Sequence, residues 1–131
     1  MRTEVLDYIN SLALGGFLLT QELPWEADGS PLYVTNLKKI YVDVPEYQNE
    51  PIIQTLNGIN INNEITIIRI YFACDAKQLP TNYETLISDL KLAKDITSID
   101  GIQRRQCDIV TSMEGDALVS QLEIRFTKLS T

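Results

Sequence analysis

Asp43, Glu46 and Glu50 follow one another at short spacing, and a pair of carboxylates at a suitable separation is the apparatus of glycoside hydrolysis. They fall at the end of one strand-like run and in the connection after it, where acids are ordinarily solvated, and the solvated reading is preferred. Asp75 and Asp100 follow strand or helix ends, where carboxylates commonly complete backbone hydrogen bonds. The chain has no histidine, which removes the commonest general base, the commonest zinc ligand and the physiological pH switch together. Ser-His-Asp and Cys-His nucleophiles are therefore excluded. Cys74 and Cys107 sit in strand-like runs and read as small apolar core residues, with a disulfide or metal role disfavoured. Gly15-Gly16 ends a helix instead of opening one, so it cannot cradle phosphate on a helix N-terminus. Asp28-Gly29-Ser30 lacks the ligand spacing of a calcium loop. No cofactor, metal or catalytic residue is expected, and the chain reads as no enzyme.

The aromatic residues divide by context. Tyr71, Phe72 and Phe126 belong to strands and read as core, whereas Trp25 and Tyr47 lie among loop residues and carboxylates. Those two are either exposed anchors for a partner or packed on the domain's own surface. Arg69 interrupts an apolar strand. It is either an outward-pointing contact residue or half of a buried pair, for which Glu123 is the candidate partner.

The elements that must carry these residues are readable from periodicity. Val5, Leu6, Ile9, Leu12 and Ala13 share a helical face, with Thr3 expected as N-cap and Gly15-Gly16 as stop. Residues 17–20 read as a short strand, 25–31 as turn chemistry and 32–35 as a brief strand. Residues 39–44 alternate, which predicts Ile40, Val42 and Val44 buried with Lys39, Tyr41 and Asp43 opposite. The connection over 45–63 contains Pro45, Pro51, Gly58 and five asparagines, too much for a tight hairpin. Its apolar residues Ile52, Ile53, Leu56, Ile59 and Ile61 favour an extended arm or β-ribbon that packs on something. Residues 65–74 are apolar on both faces, as a central strand with helices on one side and a second layer, from this chain or a neighbouring subunit, on the other. Thr81 and Glu84 have capping-box spacing at the start of a helix over 81–96, with Tyr83, Leu86, Ile87, Leu90 and Ala93 on its apolar face. Residues 102–113 and 117–129 form a closing hairpin. A turn at Glu114-Gly115 would place Cys107 opposite Leu122, and Leu118, Leu122, Ile124 and Phe126 would share the buried face.

The expected fold is α+β: one four- to five-stranded, mostly antiparallel sheet with two helices on one face and a long β-arm or loop at 45–63. With 131 residues, 44% apolar and 22% charged, residues 1–131 are expected to form a single domain. The formal net charge of −7 opposes non-specific binding to nucleic acid, which requires cations against phosphate. No run approaches the roughly 20 apolar residues of a membrane helix. The first residues lead into an amphipathic pattern instead of a secretory signal, so a reducing compartment is expected.

The element order resembles one family. The opening helix, the alternating strand, the long connection, the apolar strand, the capped helix and the hairpin together resemble the tail terminator proteins of long-tailed bacteriophages, the class of the phage lambda terminator. Ile70-Tyr71-Phe72-Ala73-Cys74-Asp75-Ala76-Lys77 with Leu79-Pro80-Thr81-Asn82-Tyr83 carries the likeness most clearly, as does Glu114-Gly115-Asp116 through Leu122-Glu123-Ile124-Arg125-Phe126. The resemblance implies a structural virion protein: a homohexameric ring in the tail, assembled in the host cytoplasm. Such a ring caps the tail tube and joins it to the neck, or head-completion, proteins. Its partners would be itself, the tail tube protein and the neck protein, with DNA passing through the lumen without stable binding and with no membrane. The interface residues expected on the arm and loops are Trp25, Tyr47, Ile52, Ile53, Leu56, Ile59 and Arg69. Another neck, tail-completion or baseplate subunit is the nearest alternative. A small acidic regulatory module that binds a basic partner is the rival from another class, separable from a ring by its mass in solution.

Overall fold

The structure is a computed structural model, and it describes residues 1–12, 14, 17–20, 38–54, 58, 60–97 and 99–130. The expected Gly15-Gly16 stop, the turn over 25–31, the strand over 32–35 and Ala13 lie outside those residues. The described elements run α1 (Arg2–Asn10), β1 (Leu18–Thr20), β2 (Lys39–Val42), β3 (Glu46–Gln54), β4 (Asn60–Asp75), α2 (Tyr83–Lys91), a 3-10 turn (Leu92–Asp95), β5 (Arg104–Glu114) and β6 (Ala117–Ser130). This is the expected α+β order, with six strands in the sheet.

β4 organises the sheet. At 16 residues it is long enough to pair with three strands. β6 runs antiparallel along one edge from Asn62↔Ser130 to Asp75↔Ala117. The other edge is shared: β2 takes Ile70 to Ala73, and β3 takes Asn60 to Ile67. β1 adds parallel to β2, and β5 adds antiparallel to β6. The sixth strand arises because Glu46–Gln54 pairs antiparallel with the first half of β4 as a ribbon, the β-ribbon reading of that connection.

One face of β4 carries Ile68, Ile70, Phe72 and Cys74, which pack with Leu122, Ile124 and Phe126 of β6 and Ile40 and Val42 of β2. α1 contributes Val5 and Ile9 to this core, and α2 contributes Leu86 and Leu90. Phe17 meets Phe72 edge-on, with ring centroids 6.2 Å apart. Period 2 in the strands and period 3.6 in the helices thus converge on one apolar layer.

Four local expectations need correction. Thr3 does not cap α1: the first helical bond already runs from the Val5 N–H to the Met1 carbonyl, so Thr3 lies inside the first turn. The helix start is held instead by Arg2, whose Nε and Nη2 donate to the Val42 carbonyl at 3.1 and 2.9 Å. The Thr81–Glu84 capping box is also absent. The Tyr83 N–H donates to the Pro80 carbonyl, so Asn82 becomes the cap residue, and α2 ends at Lys91 before a 3-10 turn. In β2, Tyr41 is buried because it stacks on Tyr71 across the strand pair at 6.4 Å, whereas Val44 is exposed because β2 stops at Val42. Finally, the closing turn is Gly115-Asp116, with Gly115 at φ +63°, which moves Cys107 opposite Ile124 and Ile109 opposite Leu122. The shift is by two residues, so face parity survives and Leu122, Ile124 and Phe126 are buried as expected.

Candidate interface on the β-ribbon and the open sheet face

All nine residues of β3 are exposed. The strand hydrogen-bonds to β4 along one edge, and among the described residues no strand pairs with its other edge. A register shift between Pro51 and Ile53 bulges the ribbon there. Tyr47 is 71% exposed, and Ile52 and Ile53 are 46% and 55% exposed. Alternation puts Tyr47, opposite Thr66, on the same side as the helices. Of the expected interface residues, Trp25, Leu56 and Ile59 lie outside the described residues. Tyr47, Ile52 and Ile53 all lie on β3, but Tyr47 is on the helix side while Ile53, opposite Ile61 beyond the bulge, is on the face that carries Arg69.

That opposite face, which bears no helix among the described residues, is organised by Arg69. Its Nη1 donates to Glu46 Oε2 at 2.6 Å, and its Nε lies 3.5 Å from Glu123 Oε2. Arg125 reaches Glu123 Oε1 from the neighbouring position at 3.3 Å. Glu123 is the partner expected for Arg69, but the network is half-exposed, not buried. The Arg69 guanidinium, helped by the Gln48 amide, holds the Glu46 carboxyl below the usual carboxylate range. Around this network Ile67 and Ala73 are buried and Tyr71 is half-buried beneath its stack with Tyr41. The second covering layer expected for β4 is therefore partly supplied by the sheet's own long side chains.

The chemistry available elsewhere is limited. Cys74 and Cys107 are free, and burial pushes both thiols up, away from the reactive thiolate. Asp43 accepts the N–H of Val44, and Asp75 accepts that of Lys77, the backbone-completing role expected of strand-end acids. Among the described residues no cluster of His, Cys, Asp or Glu gathers as a metal site. Among them, too, no helix is long and apolar enough to cross a membrane.

Two features escaped sequence reasoning. β5 is a second long strand with an edge unpaired among the described residues, and it exposes Val110 and Met113. Their signal is the adjacent pair Ile109-Val110, apolar on both faces of a strand expected to be covered on one. Beside this edge lies an open, mainly apolar groove of about 370 Å³, walled by Tyr83 and Ile87 of α2, Ile109 and Thr111 of β5, and Leu118 of β6, with Glu84 and Ser88 of α2 at its polar side. It forms where the short α2 leaves the end of the hairpin uncovered, which periodicity alone does not reveal.

No family model matches the chain, and no curated protein matches it. Among solved structures it is similar to a chain from the virion of a native gene transfer agent particle, at 10% identity and a TM-score of 0.47, over 99% of this chain and 95% of that one. A likeness at that distance says nothing about what this chain does.

Proposed function

We propose that this protein is a structural subunit that works by self-association: a tail-terminator-like virion protein that forms a homohexameric ring on the end of a tail tube. The observation that carries the reading is the β3–β4 ribbon, which holds Tyr47, Ile52 and Ile53 in solvent on a strand whose outer edge is unpaired among the described residues. Pro51 and the bulge after it blunt the far end of that edge, and the exposed stretch from Glu46 to Glu50 is left as a template for another chain. The second open edge, on β5, lies at the other side of the sheet. Two different edges suit head-to-tail contacts, which close into a ring when the rotation from copy to copy closes and extend into a filament when it does not.

In this reading the helices form one surface of the ring and the Arg69–Glu46–Glu123–Arg125 face forms the other. The net charge of −7 agrees with a surface past which DNA slides without sticking. The tail tube protein and a neck protein are the partners on either side, and location in the virion tail follows. Electron microscopy of the purified protein tests the proposal. Six-fold rings support it, and isolated monomers at high concentration, with and without tail tube, refute it.

A further inference from the structure

We propose that β3 of one copy adds antiparallel to β5 of the next, in the register that sets Tyr47 opposite Ile109, so that Tyr47 fills the groove between α2 and the terminal hairpin. This rests on the self-association reading above and names the surfaces and residues it would use.

Direction and face parity limit the choices. β3 and β5 run in opposite directions within the sheet, since each is antiparallel to a neighbour in the order β3-β4-β6-β5. Joining the two edges of copies related by a rotation about the strand direction therefore gives an antiparallel pair. The helix layers of both copies must lie on one side, so side chains sharing a face must meet. On the helix side these are Tyr47 and Asn49 of β3 and Cys107, Ile109 and Thr111 of β5. On the open side they are Glu46, Gln48 and Glu50, and Arg104, Gln106, Asp108 and Val110.

Charge and the apolar wall together select among the remaining registers. With Tyr47 opposite Ile109, Gln48 faces Asp108 and Glu50 faces Gln106, two amide–carboxylate pairs, and Arg104 stands diagonal to Glu50. A slip by two residues in one direction sets Glu46 against Asp108. A slip by two in the other sets Glu50 against Asp108. Like charges directly opposite are unfavourable; the first slip offsets its Glu46–Asp108 pair by setting Glu50 against Arg104, so charge disfavours the second slip and the apolar wall at Ile109, which only the proposed register brings opposite Tyr47, decides against the first. Pro51 and the bulge after it limit the pairing to the stretch from Glu46 to Glu50.

The same register brings an exposed aromatic ring to an empty apolar wall. Tyr47 is the most exposed large hydrophobic side chain of β3, and Ile109 and Thr111 line the groove with Tyr83 and Ile87. Within a subunit Tyr47 is level with Thr66, and Ile109 is level with Ile70 through Leu122. The junction thus steps the sheet by about one residue per strand, an ordinary stagger for tilted strands.

The test uses variants of the full chain that each carry one accessible cysteine in a Cys107→Ser background, where the remaining Cys74 is fully buried. Gln48→Cys and Asp108→Cys are mixed, oxidised gently and run on a non-reducing gel, with electron microscopy of the same samples. Both substitutions are on exposed positions, and a thermal melt of each confirms folding. The proposal expects a cross-linked dimer in the mixture and none in either variant alone. Rings without the cross-link overturn the strand pairing and leave the ring reading standing. A cross-link without rings overturns the ring and leaves the pairing. Cross-linking of Gln48→Cys with itself shows β3 pairing with β3 and overturns the proposal, and neither rings nor cross-link overturns both.

Discussion

The Arg105 guanidinium donates to the carbonyls of Lys94, Ile96 and Ile99 at 2.8–2.9 Å and lies over the Phe126 ring at 5.8 Å. One side chain therefore ties the end of the 3-10 turn to β5 and covers the core beneath it. Arg105→Ala leaves three carbonyls short of a donor and is expected to cost roughly 2–4 kcal/mol by denaturant melt. Arg105→Lys should recover only part of the loss, because a point cation cannot span three acceptors as the planar fork does. Leu122 is fully buried between sheet and helices, so Leu122→Ala should cost roughly 2–5 kcal/mol. Gln121 lies on the opposite face and is half-buried, so Gln121→Ala should cost roughly 1 kcal/mol or less. A reversed order in the two melts would mean the β6 register is wrong by one residue.

Glu46 yields a prediction in pH. Its folded carboxyl is held below the ordinary value by Arg69, so its contribution to stability is fully present above the unfolded value. It is lost as pH falls through the lowered folded value. Glu46→Gln should accordingly lose the part of the acid-limb slope that lies between those two values and leave the profile near neutrality parallel to that of the parent. An unchanged acid limb would mean the Arg69 contact does not persist in solution.

At the scale of elements, the ribbon is separable from the core. None of the sixteen residues of the main core cluster lies on β3, and β3 itself is exposed throughout. Replacing Tyr47 to Ile61 with a short glycine linker should leave a cooperatively folding domain, since shortening a loop changes closure entropy little. The same deletion should abolish self-association in light scattering. Unfolding of the deletion would show that the ribbon stabilises the sheet it extends. The strands were largely legible because period-2 patterns such as Ile68, Ile70 and Phe72, or Leu122, Ile124 and Phe126, survive small register errors. The caps were not: Thr81 has the right spacing, but a Pro80 carbonyl that accepts from Tyr83 moves the helix start beyond it. Tyr41 also defied its alternation, because its burial comes from Tyr71, a neighbour thirty positions away that local pattern does not contain.

For the whole molecule, the acidic charge and the absence of histidine counted in the sequence against nucleic-acid binding and histidine-based catalysis, while the fold supplies the positive feature, two long sheet edges, on β3 and β5, that are unpaired among the described residues and carry different side chains. The arm was visible in sequence as a segment with turn residues and isoleucines together. The β5 edge and the groove beside it were not, because edges and grooves depend on which strands happen to be neighbours. The central claim is that these edges join copies of this chain into a closed ring. Multi-angle light scattering over a concentration series, with electron microscopy of the same fractions, measures it most directly. The account predicts a species of six times the subunit mass, seen as a six-fold ring, that is lost on deletion of the ribbon. A single monomeric species at the highest concentration, unchanged when tail tube is added, would contradict it.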